Sequence, residues 1–373
     1  MEWNGTEFPT LWERLRETEK TVVLYGMGNG ADKILSVCEE QGINVCEIFA
    51  SDAFVRGQLF HGKRVRRWDE VKALYGAKNL IVLLAFATSL PDVLENVGRI
   101  AAEAELYVPD VPVFGNGLFD TSFVNTHRAE LLAARNLLCD NESRMLFDAI
   151  VRYKLSGELP LLLEARSDPE KAMRELIRPE ALHAIADLGA YNGDTVRELL
   201  AFGARPEEIY AMEPDRRNFR KLSEYAEGET RTRVIPVQAA AWSRTETLIF
   251  DGSGNRNASA GQNRSAVLSD RPMKTVELPA RSLDSVLNGK TVDYIKYDVE
   301  GSECEALIGS CSTIEKSLPT LLVSLYHRNE DLFALPLQIH KEHPAYEGFY
   351  LRRFGGVPAW DLNLYVRKER IDG

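Results

Sequence analysis

The sequence is poor in cysteine, and what it has is dispersed. Five cysteines, Cys38, Cys46, Cys139, Cys304 and Cys311, are scattered through 373 residues without a C-x-x-C pair. An odd, scattered set argues against a disulfide framework or a zinc motif and reads as buried thiols in a reducing compartment. Long apolar runs are missing as well. The most apolar stretch, Leu80 to Ala87, falls far short of the ~20 residues needed to cross a bilayer, so no membrane span is expected. The first residues lack a basic segment followed by an apolar run, so the expectation is a cytoplasmic protein without a signal peptide. Positive charge is outweighed: 45 Lys and Arg face 56 Asp and Glu, a net charge of -11. Such a surface repels phosphate backbones and anionic lipid, and nucleic acid is not expected as a partner. The densest basic run, Lys63-Arg64-Val65-Arg66-Arg67, is short and reads as a solvated strand edge or loop. No internal repeat is found.

What is present is ordinary globular material, 45% apolar and 27% charged, long enough for a large core and for two or three domains. Residues from about 20 to 115 alternate apolar runs (Thr21–Tyr25, Val45–Phe49, Leu80–Ala85) with helix-like segments. Runs of this kind predict a parallel sheet covered on both faces. From about 120 to 178 the strand signal gives way to helices, one over 130–138 and one capped by Asp140 and stopped by Gly157. The βα rhythm then resumes with strands at Ala184–Leu188, Ile209–Met212, Arg233–Val237, Tyr294–Tyr297 and Leu321–Leu325. Two late runs, Phe349–Phe354 and Leu362–Val366, are joined by a turn too short for a crossover helix and predict an antiparallel hairpin. The expected division is an α/β domain over 1–117, a helical connector over 118–180 and a second α/β domain over 181–373. The polar segment between Asp251 and Pro272 reads either as a flap near a site or as a surface insert.

The informative segment is Asp187-Leu188-Gly189-Ala190-Tyr191-Asn192-Gly193-Asp194-Thr195. A strand ends beside an acid, and a glycine turn then opens a helix whose free N–H groups can meet polar ligand atoms. The next strand runs into Glu213-Pro214-Asp215. An acid there can accept both ribose hydroxyls of an adenosine lying beyond the strand ends. These motifs, followed by Asp298-Val299-Glu300-Gly301, Leu307-Ile308-Gly309 and Tyr326-His327, resemble the FkbM-type methyltransferase family over about residues 183–367. The resemblance implies a class I methyltransferase fold, Rossmann-like and seven-stranded, using S-adenosylmethionine and releasing S-adenosylhomocysteine. It also implies a small-molecule acceptor, a hydroxyl of a sugar or secondary metabolite. Carried onto this chain, it places Asp187, Gly189, Tyr191, Asn192, Gly193, Thr195, Glu213 and Asp298 around the cofactor. Ala239 and Ala240 would border the adenine. Tyr191 departs from the middle glycine common in class I enzymes.

Methyl transfer is an in-line displacement in which positioning is worth ~7–11 kcal/mol, and a placed base adds ~10²–10⁴-fold for a hydroxyl acceptor. Asp298, Glu300 and His327 follow neighbouring strand ends and are expected to converge, with His327 the best base on intrinsic pKa. Three other readings stay open. Asp298 and Glu300 cap the helix beginning near Ser302, His327 is a structural histidine, or the three hold a divalent metal, which is not favoured. Asp331, His340 and His343 read as surface and loop positions.

In the first half, Gly26-Met27-Gly28-Asn29-Gly30-Ala31 follows a strand, and Asp52 lies just past the next one, a G-x-G-x-x-A variant of the dinucleotide fingerprint. Either a nucleotide or nucleotide-sugar binds there, or the domain is a Rossmann-like scaffold and interface, including a homo-oligomeric one. The alternatives to methyl transfer are accordingly an oxidoreductase or sugar-modifying enzyme working from this half, or a non-catalytic binding module.

Overall fold

The computed structural model describes residues 9–115, 117–251 and 275–371. In the first half the strands are β1 Thr21–Tyr25, β2 Val45–Phe49, β3 Leu59–Phe60, β4 Lys63–Arg66, β5 Leu80–Leu84 and β6 Glu105–Tyr107. They form one sheet in the order β3-β4-β2-β1-β5-β6. β1 runs parallel to both β2 and β5, and only the β3–β4 edge pair is antiparallel. Side chains alternate across a strand, so β1 and β5 feed two cores. Val22, Leu24, Ile81 and Leu83 pack with Ala31 and Ile34 of the helix Asn29–Glu40. Val23, Val82 and Leu84 join Val97 and Ile100 of the helix Pro91–Glu103. The basic run is β4, with Arg66 paired to Glu47.

The stretch after β6 is helical, as its sequence predicts. The helix Asn141–Ser156 begins where the Asp140 carboxylate accepts from the Ser143 N–H at 2.7 Å and ends at Gly157 in the left-handed conformation. Its Phe147, Ile150 and Val151 belong to one buried cluster that also holds Val23 and Val82 of the first sheet and Leu188, Tyr297 and Leu364 of the second.

The second half adds β7 Ala184–Leu188, β8 Glu208–Met212, β9 Arg233–Val237, β10 Ala240–Ala241, β11 Glu246–Asp251, β12 Thr275–Arg281, β13 Tyr294–Tyr297, β14 Thr320–Ser324, β15 Gly348–Arg353 and β16 Leu362–Arg367. Seven of them make a sheet in the order β15-β16-β14-β13-β7-β8-β9. The pairs are parallel except β14–β16 and β15–β16, so the expected hairpin closes one end. The chain steps from β7 to β8 on one side and returns as β13 on the other. That reversal opens a crevice beyond Leu188. A small sheet, β10-β12-β11, was not legible beforehand. Residues 252–272 of the polar segment lie outside the described residues. The halves also meet through the backbone of Thr88 and Val357, each donating to the other at 2.8 and 2.9 Å.

Two sequence expectations are corrected. Asp331 and His340 sit on the helix Asp331–Glu342, not on a loop, and Asp331 and the helix-ending His343 are buried. Their helix packs on the helices Arg128–Leu137 and Glu303–Ile308, which the polar letters alone hide. Cys304 is exposed and Cys46, Cys139 and Cys311 are half-buried, so only Cys38 is a buried thiol; all five are free. Among the described residues no helix is long and apolar enough to cross a membrane.

Candidate functional site

The bend after β7 is built on Gly189, whose φ is +85°. A Cβ there would overlap the carbonyl oxygen of Asp298, so only glycine lets β7 and β13 end this close together. Gly189 and Ala190 donate their N–H groups to the Met212 carbonyl at 3.0 and 2.9 Å, tying the bend to β8. Tyr191 follows at φ +48°, left-handed and exposed, which accounts for glycine being the usual occupant of such a position. The Asn192 carbonyl accepts from Arg197 at 3.0 Å, buried Gly193 caps the helix Asp194–Ala201, and Thr195 stands in its first turn. Gly189→Ala is expected to lower stability by about 2–5 kcal/mol, strain plus overlap, in a urea unfolding experiment.

Glu213 leaves β8 directly into this bend. It accepts from the Tyr191 N–H at 2.9 Å and the Asp215 N–H at 2.8 Å and is 6% exposed. Burial pushes its carboxyl up to about 7, against the two backbone donors that lower it. Each oxygen keeps a spare lone pair, so the ionised group has room for further donors. Asp187 is wholly buried, with neither oxygen hydrogen-bonded among the described residues and Lys296 at 3.9 Å. Burial pushes it up to about 6, with Lys296 opposing. Ala239 and Ala240 are buried beside them, the Ala239 and Glu213 N–H groups both donating to the Val237 carbonyl at 3.0 Å.

A second group gathers past β13 and β14. His327, 1% exposed, turns Nδ1 to the Glu303 carboxylate at 2.8 Å. Its Nε2 has no hydrogen-bond partner among the described residues and faces Asp298 at 3.6 Å and Glu300 at 3.7 Å. Burial works against its charge, but Glu303, then Asp298 and Glu300, raise it to about 9. Asp298 is pushed up by burial, yet Lys296, His327 and the Tyr326 hydroxyl at 2.9 Å hold it down at about 2. Asp298, Glu300 and His327 therefore do converge, and His327 is an imidazolium at neutral pH in the free chain.

Sequence reasoning missed Glu303, which is 1% exposed. Among the described residues no side chain caps its helix, so neither Asp298 nor Glu300 does so; Glu303 Oε1 instead accepts from the Val299 N–H at 2.9 Å, in the turn before the helix, while holding His327. Its place in the first turn of the helix Glu303–Ile308 made it look like a routine helix-start acid. Lys296, two residues before Asp298 on the same strand, is signalled by the period of two. Phe114 carried no signal at all. Its N–H donates to the His327 carbonyl at 2.9 Å and its ring lies 5.8 Å from the imidazole, so a residue from before the connector walls the histidine.

The raised histidine has a stability consequence. A folded-state value above the ordinary 6.5 means the contribution is complete below pH 6.5 and is lost as pH rises through about 9. The span corresponds to about 3 kcal/mol. Thermal midpoints are expected to fall between pH 6.5 and 9 in the wild type and to fall much less in Glu303→Gln; parallel slopes would disprove the coupling.

Residues 187–354, a little under half of the chain, match the Methyltransferase FkbM domain. A solved structure of methyltransferase FkbM from Methylobacillus flagellatus KT aligns over 93% of this chain and 90% of its own at 20% identity and a TM-score of 0.68. Looser overlaps include Aeropyrum pernix fibrillarin with natively bound S-adenosyl-L-methionine, at 12% identity over 50% of this chain and 66% of that one, TM-score 0.31. Another is SMU.1697c of Streptococcus mutans in complex with SAH, at 10% identity over 54% and 98%, TM-score 0.32. No curated protein matches the sequence. The fold, with its order and its antiparallel end, is the class I Rossmann-like methyltransferase fold.

Proposed function

We propose, with the FkbM-domain match of residues 187–354 as premise, that this chain is an S-adenosylmethionine-dependent methyltransferase acting on a hydroxyl of a saccharide or secondary metabolite. The observation that carries the reading is Glu213, a buried carboxylate seated on the Gly189 bend with unused acceptor capacity. Ribose hydroxyls are donors of the kind it lacks. Buried Asp187 on the neighbouring strand, with neither oxygen hydrogen-bonded among the described residues, and the Gly189 bend that admits no Cβ fit the same ligand. When bound, the cofactor supplies an activated methyl group on a sulfonium centre.

The chain's own residues then divide the work. Gly189, Tyr191, Asn192, Gly193 and Thr195 shape the cofactor's bed, Glu213 holds its ribose, and Ala239 and Ala240 flank the adenine. His327 Nε2 takes the proton of the acceptor hydroxyl as the oxygen gains the methyl group. Glu303 holds Nδ1, so the ring turns Nε2 toward Asp298 and Glu300, and the resulting imidazolium is paired. Asp298 and Glu300 flank that nitrogen and orient the hydroxyl. We take 1–117 and 118–180 as scaffold and connector to the domain at 181–373. In the first of these, a Cβ at Gly30 would meet the Ala85 carbonyl at 2.6 Å, so the fingerprint glycine there serves close packing of helix on strand. A thermal-shift titration with S-adenosylhomocysteine tests the whole reading: ~2.7 kcal/mol of stabilisation is expected at 100 times the dissociation constant. No shift at millimolar ligand would reject it.

A further inference from the structure

Away from the crevice, three side chains of different chemistry meet at the edge of the helix layer. Cys311 opens the helix Cys311–Ser317, Glu342 closes the helix Asp331–Glu342, and His343 is that helix's terminal cap. The Cys311 sulfur and His343 Nε2 lie 3.9 Å apart, and the three ligand atoms fall within 4.8 Å of one another. We infer that Cys311, Glu342 and His343 form a binding site for a zinc-type divalent cation.

The donor set selects the ion class. A thiolate and an imidazole with one carboxylate suit zinc, whereas hard cations such as magnesium and calcium prefer all-oxygen sites. In a tetrahedral zinc site the sulfur and nitrogen ligands stand about 3.5 Å apart, so closure asks for only a small inward shift. The backbone is already fixed for it. The His343 N–H donates to Ile339 at 2.8 Å and its carbonyl accepts from Tyr346 at 3.1 Å, while buried Ser310, just before Cys311, bonds back to Ala306 at 2.7 Å. His343 is 4% exposed, Cys311 half-buried and Glu342 exposed, an arrangement with a sheltered nitrogen and an open side for entry. A bound ion would clamp the two helices that flank β14 in the chain.

The test is a cobalt(II) titration of the full chain after chelator treatment. A thiolate-to-cobalt charge-transfer band saturating at one equivalent is expected, displaced by zinc and abolished by Cys311→Ser or His343→Gln. The exposed Glu342→Gln should keep the fold and weaken binding by roughly 10-fold or more. Should the buried variants fail to fold, wild-type protein decides: one equivalent of zinc is expected to shield Cys311 from alkylation. No band, a band unchanged by Cys311→Ser, or alkylation of Cys311 at the same rate with zinc present would each overturn the site.

Discussion

Glu213→Ala is expected to abolish the thermal stabilisation conferred by S-adenosylhomocysteine while the chain stays folded by circular dichroism. Each hydrogen bond from a ribose hydroxyl to a carboxylate is worth about 1.5–3 kcal/mol, so losing two weakens binding by roughly 10²–10⁴-fold. Affinity should also depend on pH with a definite sign. The acceptor form is the carboxylate, and burial holds the free group up to about 7. Ribose donors favour the charged form, so binding lowers this value and releases protons near neutrality. The dissociation constant should therefore rise as pH falls below about 7, by up to about tenfold per unit. Calorimetry in buffers of different ionisation enthalpy reads the released proton directly. A variant that binds as tightly as wild type, or wild-type affinity that is flat from pH 8 to 5.5, would remove Glu213 from the site.

The second large effect concerns His327. His327→Gln is expected to lower kcat by ~10²–10⁴-fold with S-adenosylhomocysteine affinity nearly unchanged, because the ring acts on the acceptor and not on the ribose. Only the neutral ring takes a proton, and Glu303, Asp298 and Glu300 hold it up at about 9, so kcat/KM should climb with pH until that region. Glu303→Gln removes the largest charge favouring the imidazolium. Its profile should move to lower pH while the plateau falls, since the ring loses its paired product state. A merely structural histidine would give neither shift. An activity profile independent of pH between 7 and 10 would exclude the assignment.

How far the letters carried can be judged position by position. The spacing from Gly189 to Glu213 was legible because a strand, a turn and a helix impose it locally, and the 2.9 Å contact from Tyr191 to Glu213 is the three-dimensional form of that spacing. The two antiparallel end strands were legible for the same reason. The local rule failed where partners are distant in sequence. Cys311 and His343 come together only because one helix begins where another ends, and no short-range zinc pattern announces a pair so far apart. Phe114 meets His327 across most of the second sheet's sequence, and Glu303 was mistaken for ordinary helix-start charge.

By itself, the order of residues determined the strand and helix menu, the two α/β halves and the glycine-acid pairing at the crevice, since each follows from periodicity and backbone freedom within a few tens of residues. Only tertiary packing decided which nitrogen of His327 is held and which is presented, and that its proton is retained to about pH 9. Protonation depends on burial and on charges brought in from other strands and helices, and those distances exist only once the chain has closed on itself.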